Sequence, residues 1–467
     1  MHARLGKVRS LLRYSFWFIP AIISLAFAIL SLVLTETEFA GSLPRVEWVS
    51  SLGRQGIRDL LVMIASSMIT VATTAFSIII VALQLASGQL GPRLLRNFIK
   101  DRGNQLVFGA FLGTFVYSVL LLRRIGEEGG TSPGNQVPHS AVLLAVVFGL
   151  SAVGVLIYFI HHAASSIQKD NVISRVSDEL VNSLEKLYPK TIGQEPPFVS
   201  DGTAQQLPRR AIDSWENGCE VSLSGGGYVQ AVDAAKLMKT AVTHDLCIYL
   251  ARGPGEFIYH DAVVARVVPA DAVTPKVERS LRDVFILGTE RTAQQDVAFV
   301  FEQLVEIALR ALSPGTVDSF TAIRCIDRLA DALALVARTP VPSPYRFDSS
   351  GLLRVVTQPV NFNALVTLAL YPVAEAAAHH TNVMVRLFES ARQIGVSCAQ
   401  THEREVLKRL NDYLLETSRA ADGNRPSYAD FAAFHDQAAK AISGGTVGSA
   451  AAGLPAQERH SRESKTY

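Results

Sequence analysis

Residues 60–85 form the stretch that most constrains what this chain can fold into. No charged residue occurs between Asp59 and Arg93, and about 20 apolar residues suffice for a helix to cross a bilayer. Polar or small residues nevertheless recur at helical spacing: Ser66, Thr70, Thr73, Ser77, Gln84 and Gly88. At about 100° per residue they share one narrow face. We predict a membrane helix that ends near Gly88, because Gly91-Pro92 cannot continue it.

The polar face of this helix has two interpretations. Small and hydroxylated residues mediate close packing between membrane helices. The same groups also line pores and substrate paths, where several copies of a helix surround one axis. The face carries no acid or base, which argues against a proton relay. Both interpretations require the face to turn away from lipid.

Three further apolar segments, at residues 16–34, 106–122 and 141–160, complete a predicted four-helix transmembrane domain over residues 1–162. Acidic residues follow the first segment where a signal peptide would have a small-residue cleavage site, so we expect a retained anchor. The third segment contains Gly109 and Gly113, a pair that permits close helix approach.

The distribution of lysine and arginine predicts the orientation of these spans. The N-terminal segment and the loop after the second span carry four each, the other two loops three and two. Basic residues concentrate on the cytoplasmic side of membrane proteins. We therefore predict a multi-pass protein of the bacterial cell inner (plasma) membrane with both termini cytoplasmic.

The rest of the chain predicts a cytoplasmic α+β domain. We expect an amphipathic stalk helix at 163–189, a small α+β domain at 190–275 that starts with a Pro-containing linker, a helical domain at 276–442 and a disordered tail at 443–467. Predicted strands cover 219–223 and 228–232, which form a hairpin around Gly225–Gly227, then 246–251, 262–268 and 284–287. Predicted helices cover 233–244, capped by Asp233, and 319–336, with two or three more within 361–421. Thr292-x-x-Gln295 is a capping-box pattern that opens a further helix ending near residue 312.

The segment 288–322 is the best candidate for a functional surface outside the membrane. It concentrates Arg291, Asp296, Arg310 and Asp318 in a helix–turn–helix unit. One interpretation is an effector site that uses the arginines to bind an anion. The alternative is a salt-bridged helical hairpin in which Asp318 caps the second helix.

Composition and motifs narrow the function classes. The net charge of +2 does not suggest a nucleic-acid partner, and four widely spaced cysteines predict free thiols. No catalytic or nucleotide-binding fingerprint occurs, so we predict neither an enzyme nor a cofactor.

His161 and His162 lie at the end of the fourth span, where they suit a membrane interface or a pH sensor. Glu375 with His379, and Cys398 with His402, have i, i+4 spacing on predicted helices. Two such pairs could form a zinc site, but nothing in the sequence brings them together, so we interpret them as ordinary polar surface.

Several blocks resemble a bacterial family of membrane proteins, domain-of-unknown-function 2254. They are TTAFSIIIVALQLASGQLGPRLL at 73–95, the third span, FIHHAASSIQ at 159–168, LGTERTAQQD at 287–296 and IALRALSPGTVDSFTA at 307–322. The family typically has Asn-Asp-Pro where this chain has Val317-Asp318-Ser319. The resemblance implies four membrane helices and a cytoplasmic domain, and it brings no established activity.

Taken together, these features lead us to expect a homo-oligomeric channel-like or transport-related protein in the lipid bilayer, gated by its cytoplasmic domain. A membrane-anchored sensor or scaffold without transport activity is the alternative.

Overall fold

The computed structural model describes residues 17–36, 53–90, 101–126, 139–166, 169–185, 190, 192–195, 217–315, 317–339, 342–398, 400–422 and 427–444. The chain divides into two compact units, residues 1–175 and 176–467. The predicted disordered tail lies outside the described residues from 445 onward.

Four long helices make up most of the first unit. They are α1 (Phe18–Glu36), α2 (Gly53–Leu90), α3 (Arg102–Gly126) and α4 (His139–Ser166). Three contain a stretch long and apolar enough to cross a membrane: Gly53–Gln84, Arg102–Ile125 and His139–Ser165. The apolar part of α1, Phe18–Leu34, is shorter. A fourth span in α1 therefore stays a prediction.

The central element of this unit is α3, which contacts each of the other three helices. Its glycines allow the closest approach. A Cβ added at Gly109 would lie 2.5 Å from Ile23 Cδ1, and one at Gly113 would lie 2.9 Å from the ring of Phe27. The predicted Gly-x-x-x-Gly contact is confirmed, with α1 as its partner. Tyr117 of α3 is fully buried and donates to the carbonyl of Ala141 at 2.9 Å.

The predicted stalk region contains α5 (Lys169–Glu185), while residues 167–168 and 186–189 lie outside the described residues. The predicted apolar stripe of this helix consists of Ile173, Val176, Leu180, Leu184 and Leu187. Its first four positions are buried, and Leu187 lies outside the described residues.

Two β-sheets open the second unit. The strands are β1 (Cys219–Leu223), β2 (Gly227–Val232), β3 (Cys247–Leu250), β4 (Phe257–Ile258), β5 (Ala262–Val268), β6 (Phe285–Gly288), β7 (Tyr345–Phe347) and β8 (Leu353–Val356). One sheet has the order β1-β5-β3-β8-β7, with β3 and β8 parallel, and the other has the order β4-β2-β6. One hydrophobic cluster joins both sheets to α6 (Ala234–Thr243) and α7 (Pro275–Arg282).

The predicted hairpin around Gly225–Gly227 is wrong. The strand β1 pairs with β5, whereas β2 pairs with β4 and β6 in the other sheet. The glycine turn therefore carries the chain between sheets. Gly227, at φ +156°, leaves no room for a Cβ because the carbonyl oxygen of Gly288 would lie 2.9 Å from it.

The described residues that follow β6 form the helices α8 (Val297–Ala311), α9 (Ser319–Arg338), α10 (Phe362–Ala376), α11 (Thr381–Ser397), α12 (Thr401–Asp422) and α13 (Ser427–Ile442). Helices occur where they were predicted at 319–336 and within 361–421, whereas the helix that ends near residue 312 begins only at Val297. Between α9 and α10, β7 and β8 join the sheet that holds β1, β3 and β5. Strands from both sides of the predicted boundary at residue 275 therefore share one sheet.

Candidate functional site

One face of α2 packs against the rest of the first unit. Its buried positions follow helical spacing: Ile57, Leu61, Ala65, Met68, Ala72 and Ala75 are all at most 7% exposed. The alanines let α3 approach closely, and Met68, Ala72 and Ala75 share a cluster with Phe108 and Phe111. This apolar face fixes how α2 is rotated about its axis.

The predicted polar face lies on the opposite side of α2. Ser66, Thr70, Thr73, Ser77 and Gln84 are all exposed. At about 100° per residue, the mean directions of the polar and packed sets differ by about 160°. Gly88 follows in the same helix, in turns of which only the backbone is described. The four other helices described in residues 1–175 thus leave this face uncovered between positions 66 and 84.

Each hydroxyl on this face donates to its own helix. Thr70 bonds the carbonyl of Ser66 at 2.8 Å, and Thr73 bonds that of Ile69 at 2.8 Å. Ser66 and Ser77 do the same toward Met63 and Thr73, at 3.1 Å each. These bonds satisfy the hydroxyl protons without a partner helix, while the oxygens keep lone pairs that can accept from water or another chain.

The predicted effector segment contains a partly buried ion cluster. Arg291 lies between β6 and α8 and donates to both carboxylate oxygens of Asp296, at 2.7 and 3.1 Å. It also donates to both oxygens of Glu302, at 2.6 and 2.8 Å. Burial alone would lower the pKa of Arg291, but these hydrogen bonds raise it. All three nitrogens of the Arg291 guanidinium thus already donate to carboxylates, which makes Arg291 a poor partner for an anionic ligand.

Asp296 also positions α8. Its side chain accepts from the backbone N–H of Phe299 at 3.1 Å, so Asp296 is the N-cap. The predicted capping box at Thr292 and Gln295 is therefore wrong. Gln295 instead exchanges hydrogen bonds with the backbone of Val232 at 2.9 and 3.1 Å, which ties the loop to β2.

The other two predicted effector residues have structural partners of their own. Arg310 donates to Glu306 one turn earlier in α8 at 3.2 Å. Asp318 caps α9 by accepting from the N–H and the hydroxyl of Thr321, at 3.1 and 2.7 Å. These contacts favour the salt-bridged hairpin, and the effector role stays a prediction.

His161 is exposed, whereas His162 is partly buried and joins two helices of the first unit. The Nε2 atom of His162, near the end of α4, lies 2.8 Å from Asp101 Oδ1, and Tyr158 stacks on its ring. Asp101 also accepts from the N–H of Asn104 at 3.2 Å, at the start of α3. The pair therefore links the end of α4 to the beginning of α3.

Comparison with known proteins identifies the family of this chain. The family model described as "Predicted membrane protein (DUF2254)" matches residues 13–393. The chain belongs to this family. Uncharacterized proteins of Mycobacterium tuberculosis and Mycobacterium bovis are each 28% identical over 356 residues, which is 75% of this chain and 66% of each relative. The match thus spans just under two thirds of these relatives, and no solved structure matches.

The DUF2254 model covers the described helices of the first unit and most of the second. This agrees with a membrane protein that carries a large region outside its apolar helices. Within the described residues, no three His, Cys, Asp or Glu side chains are grouped to hold a metal ion. The predicted placement of each pair on one helix is wrong: Glu375 lies in α10 but His379 follows its end, and Cys398 and His402 flank the break between α11 and α12.

A buried arginine in β7 is a feature that sequence reasoning missed in this DUF2254 member. Arg346 is 2% exposed and donates through Nε to the carbonyl of Ile192 at 2.5 Å. Its Nη2 donates to the carbonyls of Lys190 and Gly193, at 3.2 and 3.3 Å. The predicted linker is therefore anchored to the sheet where it begins. No local pattern distinguishes Arg346 from a surface arginine, because its partners lie more than 150 residues away.

Proposed function

We propose that this family member is a homo-oligomeric channel-like protein, in which several copies turn the polar face of α2 toward one shared aqueous path. The supporting observation is the rotation of α2. Its apolar face is committed to the first unit, and its hydroxyl-bearing face, centred on Thr70 and Thr73, points outward. One copy of α2 cannot enclose a path by itself, so a lumen lined by this face needs further copies around a closed symmetry axis.

The proposal includes a four-span topology with both termini in the cytoplasm of a bacterial inner membrane. The helix α1 packs along α3, and its 19 residues extend about 28 Å, close to the thickness of a hydrocarbon core of about 30 Å. Residues 176–467 would then form the cytoplasmic domain that gates the path. A reporter fused after residue 444 tests the orientation: activity only outside the cytoplasm contradicts it.

The membrane-anchored sensor or scaffold is the second candidate, and a specific observation favours it. The hydroxyls of Ser66, Thr70, Thr73 and Ser77 already donate within α2. At these four positions contact with lipid is less unfavourable, because each hydroxyl proton already has an acceptor within the helix.

Ion flux separates the two functions. The full chain is purified, its oligomeric state in detergent is measured, and it is reconstituted in liposomes loaded with a fluorescent ion indicator. The channel account predicts an oligomer and a flux that Thr73→Leu abolishes while Thr73→Ser preserves it. A monomer without flux across a range of pH and voltage contradicts the channel and favours the sensor.

A further inference from the structure

A cleft of about 540 Å³ lies on the second unit, lined mainly by α9 and α11. Small-molecule sites in proteins occupy about 300–1,000 Å³. The cleft lies outside the predicted effector segment, and its lining includes both charged and small apolar side chains. Ala330, Ala334 and Leu335 contribute an apolar wall from α9, and Val181 contributes to it from α5.

The charges of the cleft are separated along α9. Asp331 lies toward the N-terminal end of the cleft, and Arg338 lies two turns further on. Seven residues of helix place their Cα atoms about 10 Å apart. On α11, Arg386 lies toward the acidic end, where it donates to Asp327 at 2.5 Å and to Glu389 at 2.7 Å.

These ion pairs determine which charges are available to a ligand. Arg386 pairs with two carboxylates, Asp327 and Glu389, so its end of the cleft carries a net negative charge. Arg338 donates to the hydroxyl of Ser397 at 2.9 Å, a neutral partner. Within the described residues, no carboxylate pairs with Arg338 or Arg392, and no cation pairs with Asp331. The cleft therefore has a negative end and a positive end, each with capacity for an ionic partner.

Neutral polar groups lie between the two ends. Ser390 is 4% exposed and lines the cleft, yet its hydroxyl makes no hydrogen bond within the described part of the chain. Gln393 follows one turn later on α11 and lines the same cleft. A hydroxyl that lines a cleft and has an open position favours a ligand that carries its own hydrogen-bonding groups.

We propose that this cleft binds a short zwitterionic peptide, with its ammonium group at Asp331 and its carboxylate at Arg338. Three extended residues span about 10 Å, which matches the separation of about 10 Å between the Cα atoms of Asp331 and Arg338. The peptide amides face Ser390 and Gln393, and small side chains pack on Ala330 and Ala334. Arg338 offers a carboxylate further N–H donors beyond the one held by Ser397. The site is independent of the channel proposal.

Calorimetric titration of the purified full chain with trialanine tests this site, with N-acetyl-trialanine and trialanine amide as probes that each lack one terminal charge. Trialanine is expected to bind, and each blocked peptide is expected to bind about tenfold more weakly, as loss of one charged hydrogen bond implies. Asp331→Asn and Arg338→Gln should each weaken trialanine binding about as much. Asp331→Asn should leave the affinity for the acetylated peptide unchanged, because that peptide has no ammonium group.

Arg328→Gln is the matched control, since Arg328 is an exposed residue of α9 outside the cleft lining. It should bind trialanine as the parent does. Absence of binding at millimolar trialanine overturns the proposal, as does equal affinity for the free and blocked peptides. Unchanged affinity in both charge variants, with their melting temperatures unchanged, overturns it as well.

Discussion

Ala72 and Thr73 are neighbours in α2 with opposite surroundings. Ala72 is 5% exposed and packs in the cluster that contains Phe108 and Phe111. Thr73 is exposed, and its hydroxyl donates to the carbonyl of Ile69 at 2.8 Å. The boundary between packing face and polar face therefore runs between two adjacent residues.

This boundary predicts contrasting effects for the same replacement. Ala72→Leu inserts three carbons into a packed interface and should destabilise the first unit by about 1–3 kcal/mol. Thr73→Leu should leave thermal stability in detergent nearly unchanged and should abolish ion flux. Melting curves of the two variants in detergent measure the difference in stability. Equal destabilisation of both variants would contradict the assignment of Ala72 to the packed face and Thr73 to the exposed face.

The glycines of α3 predict a second contrast. Gly109→Ala forces Ile23 to move, because the new Cβ would lie 3.0 Å from Ile23 Cβ as well as against its terminal carbon. We expect destabilisation by about 1–3 kcal/mol, partly relieved when Ile23→Ala is added. Gly154→Ala is the control, since nothing lies within 4 Å of a Cβ there. Equal melting temperatures for Gly109→Ala and Gly154→Ala would contradict the α1–α3 contact.

The contacts of Arg346 predict a local effect on residues 190–194, the segment that this side chain anchors to β7. Arg346→Met removes the donor to the carbonyls of Lys190, Ile192 and Gly193. The free energy of unfolding should fall by on the order of 3 kcal/mol. The sharper readout is hydrogen exchange of the Gln194 amide, which donates to the Phe347 carbonyl at 2.9 Å. Unchanged exchange there would contradict the anchoring role; Arg252→Met, at an exposed ion pair, is the control.

A buried ion pair predicts pH dependence in the second unit. Asp348 accepts from Arg354 at 2.7 Å, and this hydrogen bond, together with the Leu352 amide, lowers the pKa of Asp348. The unfolded chain, with an aspartate pKa of about 3.9, then binds the proton more readily than the folded chain. The stabilisation by Asp348 is therefore present above about pH 4 and is lost as the pH falls through the lower, folded-state pKa.

Asp348→Asn should reduce stability at neutral pH and should flatten the loss of stability below about pH 4. Denaturant unfolding of the second unit at several pH values measures both effects. The exposed aspartate replacement Asp271→Asn is the control and should keep the parent's pH profile. An Asp348→Asn profile parallel to that of the parent would contradict the assigned contribution.

Sequence patterns predicted the elements better than the contacts between them. Helical spacing identified the positions of the polar face of α2, and Asp233 was correctly assigned as a cap because it accepts from Lys236 only three residues away. The pairing of β1 with β5 depends on residues about 40 apart in the chain, so the glycine turn alone suggested a hairpin. The cap of α8 was displaced because Gln295 binds Val232, 63 residues away.

The site showed the same division between local and distant information. Periodicity located the polar positions of α2, but the direction they face followed only from the packed alanines. Arg291 was identified from its charge and position. Its two carboxylate partners and the role of Asp296 in starting α8 became visible only in three dimensions.

Cysteine accessibility along α2 tests the central claim most directly. In a chain whose four natural cysteines are replaced by alanine, single cysteines are placed at positions 66, 70, 73 and 77 and, as controls, at 65, 68 and 72. Native membranes are then treated with a charged, water-soluble maleimide or with a lipid-soluble one. The account predicts that the charged reagent modifies the first set and spares the second. Modification of the first set by the lipid-soluble reagent alone would contradict an aqueous path along this helix.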